Sequence, residues 1–276
     1  MVRLATEVIT KKSSYLYASA LALAGLVLVD PTVAQTGPFK PGCKLPFDSI
    51  KQKQSIDGKC GILGTGGAGG KLQNHQKNNF CVKGAAVTVT LDIFRQLQKL
   101  AEDQNLPFGD PFHLPTDRSV FKNVLGMPDG ANIGEGSLVR LSVFVIEGHL
   151  TGKENVNCNL SGKVNYDAHI TVGNAGDDDP CDGVVVETSP HYRPDAWDSD
   201  NLNHILRPIR FTGQLFFDAS HKPCPDNPPR FSLWEIHPIY AIDVCKNGTL
   251  EECLADQDSI WTPLDEWLGA EGGAPK

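Results

Sequence analysis

The chain has 276 residues, of which 40% are hydrophobic and 21% charged, a composition that excludes a collagen-like or fully disordered protein. Its 25 Lys and Arg residues against 33 Asp and Glu residues give a formal net charge of −8, so bulk composition provides no broad basic surface for nucleic-acid phosphates. The 27 Gly and 19 Pro residues favour many turns and few long helices. We therefore expect short strands joined by loops, and nucleic acid is disfavoured as a partner.

Residues 1–34 have the layout of a secretory signal peptide. A basic pair at 11–12 precedes an apolar segment over 15–29, and small residues follow at 32–34. The apolar segment is shorter than the roughly 20 residues that a transmembrane helix needs. The sequence thus predicts a secreted or periplasmic protein with no membrane span after signal removal. An uncleaved N-terminal anchor is the alternative.

Residues 35–134 form a Gly- and Pro-rich region with irregular signals and one clear helix near 91–103, where apolar residues recur at helical spacing. The glycine run at 64–70 contains the pattern GxGxxG, which in a dinucleotide-binding fold follows a strand and opens a helix. No clear strand precedes it here. We therefore interpret the run as a flexible loop between Cys60 and Cys81 and not as a phosphate-binding element.

Residues 135–246 change to alternating extended segments that turn residues separate. The predicted strands cover 138–149, 163–172, 183–188, 209–217 and 231–244. A short helix over 194–206, capped by Asp195 or Asp198, lies between the third and fourth strands. Pro238 interrupts the last strand, which indicates a bulge or an edge.

Three strands, a helix and two further strands is the element order of an OB-fold, a five-stranded and partly open barrel. We therefore predict a mainly β protein whose residues 135–246 form an OB-fold-like barrel with its helix between strands three and four. Residues 247–276 follow as a C-terminal tail. A β-sandwich is the alternative, because short alternating strands are common to both architectures.

All eight cysteines lie beyond the predicted signal peptide, and an even number in an exported chain favours disulfides. No CxxC or similar zinc-binding spacing occurs. Eight cysteines allow 105 pairings, and spacing alone does not choose among them. Because the first and last barrel loops share one end of an OB-fold, we expect Cys158 to pair with Cys224.

Histidines and carboxylates concentrate in the predicted barrel. Four pairs are candidate metal ligands: Asp167 with His169, Glu187 with His191, Asp218 with His221, and Glu235 with His237. Residues two apart in a strand share a face, and the OB-fold order brings all four pairs to the barrel end where ligands usually bind. Imidazole and carboxylate together suit zinc, manganese or iron. Solvated or structural ion pairs are the alternative interpretation.

The side chains of these pairs alternate with apolar residues such as Ala168, Ile170 and Ile236. They therefore belong to the strand face that points away from the barrel interior. Either water or the N-terminal segment must cover that face.

Three segments, VETSPHYRP at 186–194, RFTGQLFFDASH at 210–221 and LWEIHPIY at 233–240, resemble a group of uncharacterised exported bacterial proteins. The similarity covers roughly 136–245. The resemblance implies export but no activity.

Two functions follow from these patterns. The first is an exported, disulfide-stabilised binding module that holds an unknown ligand at one barrel end, with a metal as intermediary or without one. The second is a metal-dependent hydrolase that uses the same residues, with phosphoesters as candidate substrates. No nucleophile for acyl-enzyme chemistry is visible, because GxSxG is absent and the cysteines are expected to be oxidised. The only cofactor expected is a divalent transition metal.

Overall fold

Nine strands and five helices are found in the computed structural model, which describes Phe39 and residues 54–254 and 258–270. The strands are β1 Val87–Val89, β2 Leu125–Gly126, β3 Asn132–Ile133, β4 Leu138–Leu150, β5 Ala168–Gly173, β6 Val184–Thr188, β7 Ile209–Phe217, β8 Trp234–Cys245 and β9 Trp261–Pro263. The helices are α1 Ala68–Lys77, α2 Leu91–Asp103, α3 Ser199–Asn203, α4 Leu250–Leu254 and α5 Leu264–Ala270. The predicted signal peptide, 1–34, lies outside the described residues.

Strands β4 to β8 close into a barrel. Around it the strands follow the order β4, β5, β6, β8 and β7, and β7 pairs back to β4. All neighbours are antiparallel except β6 and β8, which are parallel. The predicted mainly β architecture with a five-stranded barrel is therefore confirmed. Strands β1 and β9 extend the same sheet by pairing with β4 and β8.

The predicted element bounds agree closely with the structure in several places. Strand β7 covers the predicted residues, and so does α2, whose first turn is capped by the Thr90 side chain. Strand β5 begins five residues later than predicted, because 163–165 form a 3-10 turn. Between β6 and β7 the chain forms a 3-10 turn at Asp195–Trp197 and then α3, and Asp198 accepts a hydrogen bond from the Asp200 backbone.

Pro238 lies at a bulge in β8. Gly213 of β7 pairs with Ile239, whereas Leu215 pairs with Ile236, so β8 contains one extra residue over this stretch. The predicted bulge is confirmed. Strand β8 is not an edge of the sheet, because β6 and β7 flank it.

The two faces of the barrel strands differ in chemistry. Apolar side chains such as Ile170, Val186 and Ile236 belong to the hydrophobic core. Many of the residues that alternate with them along the strands, including His169 and Glu187, are polar and yet buried. A second layer must therefore cover the outer face of the barrel.

Helix α1 is that second layer. Its Gln73 Nε2 donates a hydrogen bond to Asp218 Oδ1 at 2.9 Å, and its Lys77 Nζ lies 3.6 Å from Glu187 Oε2. The flexible loop predicted between Cys60 and Cys81 is wrong over 68–77, because these residues form α1. The N-terminal segment therefore covers the polar face, which is one of the two alternatives expected from the sequence.

Three disulfides lie within the described residues. They join Cys60 to Cys158, Cys181 to Cys224, and Cys245 to Cys253. The predicted pair of Cys158 with Cys224 is wrong, because each of these cysteines bonds a partner from a different loop. Within the described ranges, no helix combines the length and the hydrophobicity that crossing a bilayer requires.

Candidate metal centre

Of the eight residues proposed from sequence, seven are buried and His221 is partly exposed. Four of them lie within barrel strands: His169 in β5, Glu187 in β6, and Glu235 and His237 in β8. The other four flank strands: Asp167 precedes β5, His191 follows β6, and Asp218 and His221 follow β7.

Glu187 is the centre of the cluster. Strand register places it directly opposite His169, and the pairing of Val186 with Ile236 brings β8 alongside. Its Oε1 lies 3.0 Å from His169 Nε2, and its Oε2 lies 2.7 Å from His237 Nδ1. One carboxylate thus contacts imidazoles from both neighbouring strands.

Two overlapping sets of ligand atoms share Glu187. The first set, here called the mixed group, is Asp167, Glu187 and His237. The second set, here called the acidic group, is Glu187, Asp218 and Glu235. In each group one ligand atom per residue lies within 4.8 Å of the others. Donor atoms at such spacing can surround a cation.

Many polar atoms of this cluster have no hydrogen-bond partner among the described residues. They are both oxygens of Asp167 and Glu187, Asp218 Oδ2, Glu235 Oε1, His169 Nε2 and both ring nitrogens of His237. The Nδ1 of His237 and the Oε2 of Glu187 are 2.7 Å apart, but their arrangement does not have the angles of a hydrogen bond. A buried polar atom without a partner costs roughly 1–3 kcal/mol. Nitrogen and oxygen donors that a cation could satisfy together fit a divalent metal.

Burial and neighbouring charge set the protonation of the mixed group. Burial lowers the pKa of His237, which favours the neutral imidazole that binds metals. Burial, reinforced by Glu154 and Glu187, raises the pKa of Asp167 well above its usual value. Burial opposes ionisation of Glu187 as well, but the contact with His169 and the charge of Lys77 hold the pKa of Glu187 well below its usual value.

Lys77 is a functional residue that the sequence analysis missed. It ends α1, its side chain is 8% exposed, and its Nζ lies 3.4 Å from Asp218 Oδ2. Burial alone would lower the pKa of Lys77, but Glu187 and Asp218 hold it well above its usual value, so the side chain is an ammonium. The spacing of Gln73 and Lys77, four residues apart on one helix face, was the signal available in the sequence.

Arg230 is a second missed cation. It is fully buried, and its Nη1 donates to Glu235 Oε2 at 2.7 Å. This contact fixes one oxygen of Glu235 and leaves Oε1 for another partner.

The structure does not bring His191 to the cluster. Three residues beyond the end of β6, its Nδ1 lies 2.6 Å from Asp57 Oδ1, and its ring stacks on Phe39. His221 lies at the edge of the cluster, 3.9 Å from Asp218 Oδ2 and 3.3 Å from Asp226 Oδ2. Side chains alternate between the two faces only within a strand. His191 and His221 lie beyond the ends of β6 and β7, so strand alternation does not direct them to the cluster.

A cleft of about 660 Å³ adjoins the cluster. Residues 66–70, Gln73, Lys77 and Glu154 line it, and exposed Lys153 and Lys222 also border it. Lys77 thus borders the cleft and contacts Glu187 and Asp218, which connects the buried cluster to a space large enough for a small molecule.

Comparison of the chain with protein-family models, with curated proteins and with solved structures finds no match. The resemblance to exported bacterial proteins stays a prediction. Function is therefore inferred from the geometry of the cluster.

Proposed function

We propose that this protein is an exported metal-binding module whose OB-fold-like barrel holds a divalent transition metal in the mixed group. The observation that carries the proposal is the set of fully buried oxygens and nitrogens of Asp167, Glu187 and His237 that lack hydrogen bonds and lie within 4.8 Å of one another. Zinc, manganese and iron accept such a donor set. His169 contacts Glu187 and so orients that ligand, as the outer partners of metal ligands commonly do.

The test is the metal content of the purified mature protein after loading with zinc or manganese and removal of the excess. We expect the wild-type protein to retain metal and His237→Ala to lose it, because the mixed group then lacks its nitrogen ligand. Asp167→Asn preserves shape and should weaken retention at least tenfold, while His204→Ala changes an exposed histidine and serves as the matched control. Circular dichroism establishes that each variant is folded. Unchanged metal content in both folded ligand variants would refute the proposal.

The cleft beside the cluster favours a hydrolase as the second candidate function. A metal held by the mixed group would supply an activated water, and the Lys77 ammonium, which borders the cleft, could stabilise negative charge on a phosphoryl oxygen. We expect metal-loaded wild-type protein to hydrolyse bis(4-nitrophenyl) phosphate faster than the chelated protein or His237→Ala. Equal rates in all three samples would leave the binding function alone.

Export is supported by the three disulfides, since such bonds persist in oxidising compartments. We expect the mature chain to begin near Gln35. N-terminal sequencing of the protein from the extracellular or periplasmic fraction checks this, and Met1 at its start would contradict it.

A further inference from the structure

The acidic group consists of three carboxylates, whereas the mixed group contains two carboxylates and a histidine. Glu187, Asp218 and Glu235 are fully buried, and one oxygen of each lies within 4.8 Å of the others. Three carboxylates so close cannot all remain ionised away from water without nearby positive charge. The position between them is therefore a place for a cation.

The contacts around Asp218 identify the cation that lies beside that position. Gln73 donates to Oδ1 at 2.9 Å, whereas Oδ2 has no hydrogen bond and faces Lys77 Nζ at 3.4 Å. The same Nζ lies 3.6 Å from Glu187 Oε2. His221 Nε2 is more distant from Oδ2, at 3.9 Å. Lys77 thus contacts two of the three members of the acidic group.

Glu235, the third member of the acidic group, is paired with Arg230. Arg230 Nη1 donates a hydrogen bond to Glu235 Oε2 at 2.7 Å, and Glu235 Oε1 has no hydrogen bond. The acidic group therefore keeps one oxygen without a hydrogen bond on Glu235 and one on Asp218, together with both oxygens of Glu187. The positive charge of Lys77 offsets the negative charge of the carboxylates, but several of their oxygens still accept no hydrogen bond.

The fold delivers Lys77 to this place from outside the barrel. Lys77 is the last residue of α1, four positions after Gln73, so both side chains project from one helix face onto the cluster. A lysine in the last turn also interacts favourably with the helix dipole. The ammonium is thus held by the helix and not by the strands that supply the carboxylates.

We propose that Lys77 is a built-in cation that occupies a second metal position, so the cluster takes one metal, in the mixed group, and opens to two when the lysine charge is removed. The inference rests on the proposed metal-binding function. Glu187 belongs to both groups and would bridge the two ions, as a shared carboxylate does in two-metal sites whose ions lie about 3.5–4 Å apart. The second ion would be a divalent metal bound by oxygen atoms, for which manganese is suited.

The experiment is the number of manganese or zinc ions per folded chain, determined by native mass spectrometry and elemental analysis. We expect one ion in the wild-type protein and two in Lys77→Met. Lys77→Gln, which keeps hydrogen-bond donors without the charge, should also bind two and provides a second variant if Lys77→Met does not fold. Lys71→Met, on the same helix without a charge partner in the cluster, should retain one.

A double variant separates the two positions. Lys77→Met combined with Asp218→Asn should return to one ion, because the acidic group loses a ligand while the mixed group stays intact. A single ion in both folded Lys77 variants, or two in the wild-type protein, would overturn the inference and leave the proposed function standing. A wild-type protein without metal would overturn both.

Discussion

Among single side chains, Arg118 connects several polar groups next to the cluster. Its Nε donates to Glu135 Oε1 at 2.8 Å, and its Nη2 contacts the other oxygen of that carboxylate and donates to the Phe217 carbonyl at 2.7 Å. Its Nη1 donates to Gln73 Oε1 at 3.1 Å. A planar guanidinium supplies these donors together, whereas an ammonium does not. Gln73 in turn holds Asp218.

Replacing Arg118 by Met should lower the free energy of unfolding by about 3–5 kcal/mol, because Glu135 then remains as a buried carboxylate without its partner. Urea unfolding followed by tryptophan fluorescence measures the change. The control is Lys99→Met, which breaks an exposed helical ion pair with Asp103 and should cost no more than about 0.5 kcal/mol. Equal midpoints for the two variants would contradict this role of Arg118.

At the level of elements, periodic apolar sequence predicts structure well. Helix α2 and strand β7 were predicted with their observed bounds because each has a long, regular apolar stripe. Helix α1 was missed, since it begins Ala68-Gly69-Gly70 and has only Leu72 as a large apolar residue. Contacts with the barrel, rather than helix propensity, hold it in place. Lys77 was missed together with its helix.

The candidate site was predictable where it depends on strand alternation. His169 and Glu187 meet because both follow the two-residue period of paired strands, which the sequence displays. His191 departs because it lies beyond the end of β6. The pairing of Cys158 with Cys60 was not predictable, because it depends on how a segment 98 residues away in sequence lies on the barrel.

The docking of α1 can be tested with two adjacent glycines. A Cβ on Gly69 would lie 2.0 Å from the Leu114 carbonyl oxygen, whereas a Cβ on Gly70 meets nothing within 4 Å. Gly69→Ala therefore requires α1 and the Leu114 backbone to move apart, and we expect Gln73 and Lys77 to be displaced from the cluster. We expect a lower melting temperature and weaker metal retention for this variant.

Gly70→Ala is the matched control. Alanine is favoured over glycine in a helix interior by about 1 kcal/mol, so this variant should melt at a slightly higher temperature and retain its metal. Thermal unfolding and metal titration of both variants provide the measurements. The same behaviour for the two alanine variants would show that the position of α1 does not affect the cluster.

At the level of the whole molecule, the Cys60–Cys158 disulfide connects the segment that leads into α1 to the barrel. Cys60 precedes α1, and Cys158 lies in the connection between β4 and β5. Thr65 reinforces this link, because its backbone donates to the Asn155 carbonyl at 2.7 Å and its Oγ1 accepts from Asn159 Nδ2 at 3.0 Å. The start of α1 is thus attached to the same loop that borders the cleft.

Removing the Cys60–Cys158 disulfide should therefore affect both stability and metal binding. The bond closes a loop of 98 residues, for which chain entropy gives a stabilisation of about 4–5 kcal/mol, whereas the Cys245–Cys253 bond spans 8 residues and gives about 2–3 kcal/mol. Denaturant unfolding should show the larger loss for Cys60→Ser with Cys158→Ser than for Cys245→Ser with Cys253→Ser. Metal affinity should fall only in the first double variant, because, of these two bonds, the Cys60–Cys158 bond is the one that joins the segment before α1 to the barrel. Equal metal affinity in the two double variants would mean that the helix stays in place without the Cys60–Cys158 bond.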